Sequence, residues 1–524
     1  MISLIPIPKT CKEFSGKFVI SKNQNINSDF ELPLVKNERS DNANLIIQKD
    51  DSIAKEGYLL DVKSDKITIK ASTEIGAYYA LQSIRQLAKT DLGKVDVPCC
   101  HIEDEPRFSW RGLSQDVSRH FFGVDVMKQR LDMMFMHKLN VLHWHLTDDQ
   151  GWRIEIKKYP RLTEIGSKRK NSQINGWQLT QMEEKPYEGF YTQEDIKDIV
   201  SYAKARGIMI VPEIDFPAHC AAAIAAYNDL ACRTLDREVP GYFGGNVPEK
   251  LYGIKDWNRT ICVGKQSTFD FIYGVLDEIC ELFDAPYVHI GGDEAPKDEW
   301  KKCPNCQKVM KDNNLANEED LQGWFNNQIA SYLKSKGKSL IGWNEVLAAK
   351  NLSKNTVVQY WTPQRDKKAE KFVNSGGKMI MSNHQSFYFD MSYAQRTLKA
   401  TYTYKPQKFG VNENNIDNIL GVEGEIWTEW IRDVNRLNFM TYPRMEALSE
   451  VAWSFDENKN WKDFKARLDD FKPTLDAMGI NYAVDKISLP KNPIMRAKIQ
   501  KKFYGGDTEL ENRLNDEYKA KGAK

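Results

Sequence analysis

Two rhythms of apolar and polar positions divide the chain. Up to residue 104, short alternating runs such as Gly57–Val62 and Lys66–Lys70 read as strands, and one stretch, Thr73–Ala88, sets Ala77, Ala80, Leu81, Ile84 and Leu87 at helical spacing. Alternation with period two gives a strand one buried face, and a three-to-four repeat does the same for a helix. Residues 1–104 are therefore predicted to form a small α+β domain.

A polar stretch, Glu103-Asp-Glu-Pro-Arg107, ends that region, and the pattern then changes to apolar strands separated by amphipathic helices. The strands read as Gly112–Ser118, Val141–Asp148, Ile208–Asp215, Tyr287–Asp293, Leu340–Trp343, Thr356–Trp361, Lys378–Ser382 and Ile419–Trp427. Helical runs between and after them include Asp125–Lys138, Gln193–Arg206, Ser267–Phe283, Glu318–Lys336, Asp366–Ser375 and one around Tyr442–Trp453. Strands buried on both faces and alternating with helices belong to parallel sheets, and eight of them predict an α/β fold, a (β/α)8 TIM barrel over 105–455. Two loops, Gln150–Tyr191 and Phe216–Lys265, are long enough to build a site. Residues 456–524 read as a Lys-rich helical C-terminal extension that sets Trp461, Phe464 and Leu468 on one face.

Composition narrows the partners. Lys+Arg 74 against Asp+Glu 73 leaves a net charge of +1, so no basic surplus marks a nucleic-acid groove. No apolar run is long enough to span a bilayer. Nine Cys are an odd number and far short of a disulfide scaffold. Thirteen Trp, many placed just after the strand-like runs, point to a sugar-stacking pocket, with core filling as the competing reading.

In a barrel the reacting groups stand at the carboxyl ends of the strands. Those ends carry Arg111 with Asp116, Asp148 with Asp149, Glu213 with Asp215 and His219, Asp293 with Glu294, Trp343 with Glu345, Trp361, Tyr388 with Asp390, and Trp427 with Glu429. The sharpest signal is Val288-His-Ile-Gly-Gly-Asp-Glu294, an apolar strand running through two glycines into two adjacent carboxylates. Gly291 and Gly292 remove bulk where a substrate must approach. Two like charges so close raise the proton affinity of one, leaving an acid to donate and a carboxylate to balance positive charge. That is what cleavage of a glycosidic bond requires, yet adjacent residues cannot easily stand on opposite faces of a sugar as acid and nucleophile. A metal-dependent hydrolase built on His143 and His145, with Asp148, His219 and Asp293, is an alternative. Cys303-Pro-Asn-Cys306 is half of a zinc ribbon without a second Cys-x-x-Cys, which favours a loop disulfide or two free thiols.

The runs Trp110-Arg-Gly-Leu-Ser-Gln-Asp-Val-Ser-Arg-His-Phe121, Asn140-Val-Leu-His-Trp-His-Leu-Thr-Asp-Asp149, Glu213-Ile-Asp-Phe-Pro-Ala-His219 and His289-Ile-Gly-Gly-Asp-Glu294 together resemble glycoside hydrolase family 20, the β-N-acetylhexosaminidases. Ile341-Gly-Trp-Asn-Glu345, Val358-Gln-Tyr-Trp361, Tyr388-Phe-Asp390, Ile426-Trp-Thr-Glu429 and, in the preceding domain, Gly76–Leu87 extend the resemblance to about residue 455. It implies an exo-acting, retaining, substrate-assisted mechanism in which the sugar's own 2-acetamido oxygen attacks the anomeric carbon. It further implies Glu294 as general acid and base, Asp293 and Tyr388 as holders of the acetamido group, and Asp148 with His219 as a relay to Glu294. Arg111, Asp390 and Glu429 would bind the outer hydroxyls, while Trp343, Trp361 and Trp427 would wall the acetamido pocket.

The resemblance implies no cofactor and no catalytic metal, and as partner a carbohydrate with a terminal N-acetylhexosamine. A catalytically silent carbohydrate-binding protein is a third reading, against which the intact Asp293–Glu294 pair speaks. Family members are commonly exported, so an export signal trimmed from this sequence is the expectation, with a cytoplasmic protein as the alternative.

Overall fold

The computed structural model describes residues 2–20, 25–35, 42–91, 94–174, 176, 181–234, 237–243, 259–363 and 366–523. Parts of both long loops, 175, 177–180, 235–236 and 244–258, lie outside the described residues.

The first region is a seven-stranded mixed sheet carrying one helix, Glu74–Leu87. Strands Tyr58–Val62 and Ile67–Ala71 alternate buried and half-buried positions as their sequence alternates, and pair antiparallel. The helix begins at Thr73, whose hydroxyl accepts the Gly76 N–H, an N-cap that satisfies one of the first-turn donors. Its Tyr79 meets Trp453 edge-on, so the same helix joins sheet to barrel. Buried Lys138 bridges the junction to Asp104, whose carboxylate also accepts from Tyr58 and Trp453. A buried charge of this kind persists because every group is paired and hydrogen-bonded.

Eight parallel strands then close a barrel: Trp110–Asp116, Val141–Asp148, Met209–Ile214, Tyr287–His289, Ser339–Trp343, Val357–Tyr360, Met379–Met381 and Ile419–Gly424, the last pairing with the first. They are numbered barrel strands 1 to 8 below. Strand 4 is shorter than Tyr287–Asp293 because the chain turns out of the sheet at Gly291 (φ +66°) and Gly292 (φ +90°). Strand 8 likewise ends at Gly424, three residues before Trp427. Strand 1 starts two residues before its predicted position, which moves Arg111 into the amino-terminal end of the strand.

The predicted helix around Tyr442–Trp453 is two helices, Val434–Thr441 and Arg444–Trp453, parted at Tyr442-Pro443, where proline supplies no N–H for a helical bond. Beyond the barrel come Trp461–Ala477, Pro493–Tyr504 and Leu510–Ala520, with Phe464 and Leu468 fully buried. Among the described residues no helix is long and apolar enough to cross a membrane.

Candidate active site

The barrel floor is a layer of buried ionic groups. Glu213, on strand 3, accepts from Trp343 Nε1 at 2.9 Å, pairs with His145, and lies 2.8 Å from His289 Nδ1 and 3.1 Å from His143 Nε2. His143 also pairs with Glu423 at 2.8 Å. Burial disfavours charge on His143, but Glu213 and Glu423 outweigh it and push its pKa up to about 10. The His145 pKa is raised well above its ordinary value in the same way, chiefly by Glu213 against burial. Each imidazole is held between buried carboxylates, so His143 and His145 brace the barrel floor.

Above this layer His145 Nε2 reaches Asp148 at 2.9 Å, and Asp148 also takes Arg119 Nη2 at 2.8 Å and His219 Nδ1 at 3.2 Å. Burial opposes charge on Asp148, but Arg119 and His219 hold its pKa well below the carboxylate range. His219 stands at positive φ and turns its Nε2 to within 3.6 Å of Asp293 and 3.7 Å of Glu294. Asp148, His219 and the two adjacent carboxylates thus form one chain of charge.

Asp293 and Glu294 are neighbours in sequence with different surroundings. The Asp293 side chain is 18% exposed and Glu294 51% exposed, so one faces into the barrel mouth and the other toward solvent. Burial first, then Glu294 and Glu213, push the Asp293 pKa up to about 6, against His219. Arg259, from the loop after strand 3, reaches Glu294 Oε2 at 3.3 Å and Asp149 at 3.5 Å. Gly291 has a different use from the expected one: a Cβ there would come within 1.8 Å of Asp215 Oδ1. The missing side chain makes room for a buried carboxyl group, not for substrate.

Aromatic rings complete a cavity of about 150 Å³ over these groups. Tyr388 lies nearly parallel to Trp361 at 5.9 Å, and Trp343 and Trp427 rings are 5.8 Å apart. The indole N–H of Trp361 donates to Glu345 at 2.8 Å, and burial with Asp293 pushes the Glu345 pKa up to about 8. Asp390 and Glu429 line the rim, their pKa values raised by burial first.

Of the residues singled out from sequence, Asp148, His219, Asp293, Glu294, Trp343, Trp361, Tyr388, Asp390, Trp427 and Glu429 come together here. Arg111 does not. It is fully buried at the far end of strand 1, donating to Glu56 at 2.6 Å, Tyr79 at 3.0 Å and the Lys138 carbonyl at 2.8 Å, so it ties the barrel to the first domain. The arginine in the cavity is Arg119, three residues past Asp116, which it meets at 3.0 Å, with its guanidinium 5.2 Å from the Trp427 ring centre. Sequence reasoning also passed over Arg259. The first miss had a signal, since Arg119 follows strand 1 and Arg111 opens it; Arg259 sits in a long loop with none.

The pattern of the glycosyl hydrolase family 20 catalytic domain matches residues 108–456, and that of the family's domain 2 matches residues 1–105. The chain belongs to glycosyl hydrolase family 20. A β-hexosaminidase of Porphyromonas gingivalis is 38% identical over 462 residues, covering 84% of this chain and 56% of that protein. One from Akkermansia muciniphila is 32% identical, covering 80% of this chain and 83% of its own length. Among solved structures, the family 20 exo-β-N-acetylglucosaminidase of Vibrio harveyi in complex with N-acetylglucosamine superposes with a TM-score of 0.81 at 31% identity, covering 91% and 78% of the two chains. The β-N-acetylhexosaminidase of Bacteroides fragilis gives 0.80 at 30% identity, with 92% and 96% covered. This family 20 chain is a glycoside hydrolase.

Proposed function

We propose that this family 20 chain is an exo-acting β-N-acetylhexosaminidase that removes a terminal β-linked N-acetylhexosamine with retention, using the substrate's 2-acetamido oxygen as nucleophile. The observation that carries the reading is the paired Asp293 and Glu294, one sunk against His219 and the aromatic wall, the other open to solvent. Glu294 protonates the leaving oxygen and later takes a proton from water. Asp293 accepts the acetamido N–H and balances the positive charge that grows on that nitrogen as the oxazolinium ring forms. The Tyr388 hydroxyl donates to the acetamido oxygen and aims it at the anomeric carbon. Trp343, Trp361 and Trp427 enclose the acetyl group. Arg119, Asp390 and Glu429 take the outer hydroxyls, the role that Arg111 is too remote to fill. Asp148 holds His219 between the two carboxylates, where its imidazolium favours ionised Asp293. A cavity of about 150 Å³ at the barrel mouth supports a single terminal sugar rather than an internal chain segment.

A panel of aryl glycosides tests the reading: β-GlcNAc and β-GalNAc should be hydrolysed, β-glucose and α-GlcNAc not. Replacing the acetyl by trifluoroacetyl weakens the attacking oxygen and should cut turnover steeply. Glucoside activity at a similar rate, or indifference to fluorination together with a glycosyl ester trapped on a carboxylate, would refute it.

A further inference from the structure

Cys303-Pro-Asn-Cys306 does find two partners, though not in a second Cys-x-x-Cys. Cys232 and Cys262, from the loop after barrel strand 3, come to the same point as Cys303 and Cys306, from the loop after strand 4. The Sγ atoms of Cys232 and Cys306 are 3.8 Å apart, those of Cys262 and Cys303 3.7 Å, and those of Cys262 and Cys306 3.7 Å. All four sulfurs lie within 4.8 Å of one another. Disulfide sulfurs would be bonded at about 2.0 Å. Four thiolates arranged tetrahedrally about zinc at about 2.3 Å stand about 3.8 Å from each other, by the geometry of the tetrahedron. The spacing is that of a tetrathiolate shell.

Backbone contacts hold the shell independently of any ion. Ala231 and Ile261 form an antiparallel bridge, and the Cys262 N–H donates to the Leu230 carbonyl at 2.7 Å, which fixes two cysteines side by side. Cys303 caps the helix Pro304–Asp312 and Cys306 lies in its first turn, where the unpaired N–H groups favour thiolate. Gly264 lets the two loops touch: a Cβ there would come within 2.3 Å of the Asn305 backbone. Its N–H also bonds the Cys262 sulfur, the kind of outer contact that orients a metal-binding thiolate. Cys262, Cys303 and Cys306 are buried and Cys232 is partly so, and four thiolates would fill a tetrahedral shell, as in structural rather than catalytic sites.

We propose that Cys232, Cys262, Cys303 and Cys306 bind one structural zinc ion that staples the loop after barrel strand 3 to the loop after strand 4. Binding exchanges the four thiol protons to solvent for Zn²⁺, with no change of oxidation state. The staple matters to the active site because Arg259, three residues before Cys262, reaches Glu294 at 3.3 Å. The ion takes no part in the chemistry.

The test is metal analysis and thiol titration of the wild-type chain purified in reductant without added metal. About one zinc per chain should be found, and a mercurial should release it as four thiols react. Protein reconstituted with Co²⁺ should show thiolate-to-cobalt charge transfer and the strong visible bands of a tetrahedral ion. Cys303→Ser should lose the metal and its cobalt spectrum, and Cys11→Ser, whose thiol is exposed and remote, should keep both. If Cys303→Ser does not fold, the wild-type metal content and cobalt spectrum still decide. All nine thiols titrating in a metal-free protein that yields no charge-transfer band with Co²⁺, or two disulfides among these four cysteines, would overturn the proposal.

Discussion

Replacing Asp293 by Asn keeps the shape of the acetamido cradle and removes its charge. Burial pushes the Asp293 pKa up to about 6, with Glu294 and Glu213 adding to the shift and His219 opposing it. The carboxylate form, which balances the developing charge, is therefore lost as pH falls through about 6. Wild-type kcat/KM, which reports the free enzyme, should drop about tenfold per pH unit below that value. The magnitude of the mutation follows from the distance. A charge pair at the 3.6 Å seen between Asp293 and His219 is worth about 4–5 kcal/mol at an effective dielectric near 20. The amide still accepts a hydrogen bond from the acetamido N–H, so less than the full amount is lost. Removing one preorganised stabilising group from an active site costs about 2.7–4 kcal/mol, or 10²–10³ in kcat. Asp293→Asn should fall in that range on an aryl N-acetyl-β-glucosaminide, with the acid limb near pH 6 gone. It should also respond less than wild type to fluorination of the acetyl group. An Asn variant within tenfold of wild type, or one that keeps the acid limb, would show that Asp293 does not balance the charge.

Other substitutions separate the remaining roles. Glu294→Gln removes the proton donor, and should cost about 10²–10⁴-fold on substrates with poor leaving groups but much less on activated aryl glycosides; equal losses across a leaving-group series would count against Glu294 as the acid. Arg111→Met leaves the Glu56 carboxylate at the domain junction with only the longer bonds from Tyr79 and Asn140 at 3.4 Å, so urea unfolding should show a loss of about 3 kcal/mol, the low end for a broken buried pair because Glu56 is 22% exposed, while KM holds. Arg119→Met should raise KM, since Arg119 lines the cavity, and should also cost stability because buried Asp116 and Asp148 lose its charge; a KM change from Arg111→Met would restore Arg111 to the sugar site.

The barrel is legible in the sequence because parallel strands covered on both faces are nearly continuous apolar runs, and the site is legible because its side chains stand where those runs stop. The errors in strand length share one cause. Run boundaries are blurred by residues that are apolar in a strand and equally apolar in the turn after it, as in Ile290-Gly-Gly and Ile426-Trp. Arg111 is a separate error: it precedes Gly112, so even the predicted strand sets it at the closed end, and Arg119, just past the strand, is the arginine that stands at the mouth. Contacts between distant loops are a second limit. Nothing in the spacing of Cys232 and Cys262 shows that they meet Cys303 and Cys306, because barrel closure sets that distance. Gly291 illustrates a third: glycine before a catalytic pair reads as room for substrate, and the structure gives the room to Asp215.

The helical extension after the barrel enters the same logic through Glu511. Its carboxylate accepts the backbone N–H of Tyr393 at 3.2 Å and of Ala394 at 3.0 Å, on the loop that carries Tyr388 and Asp390. Arg496 donates to the Ala394 carbonyl at 3.1 Å and Tyr504 to Gln395 at 2.6 Å, so a further helix, Pro493–Tyr504, clamps the same loop. From the barrel side Arg444 donates to the carbonyls of Phe389 and Met391 at 2.7 and 2.8 Å. Glu511 is buried, and burial raises its pKa against the pull of Arg436 and Arg444. Glu511→Ala takes an acceptor from two buried N–H groups, leaving that of Tyr393 orphaned at about 1–3 kcal/mol and that of Ala394 with only Ser392 Oγ at 3.1 Å. If the loop relaxes to recover them, Tyr388 moves, and a displacement of about 1 Å in a positioning group costs about 10²-fold. The expected result is a kcat lowered by about 10–10²-fold with a smaller change in KM, because the acetamido oxygen is still bound but aimed less well. Glu511→Gln keeps one carbonyl acceptor and should recover part of that kcat. A Glu511→Ala protein with a lower unfolding midpoint but wild-type kcat would confine the extension to stability and sever it from the positioning of Tyr388.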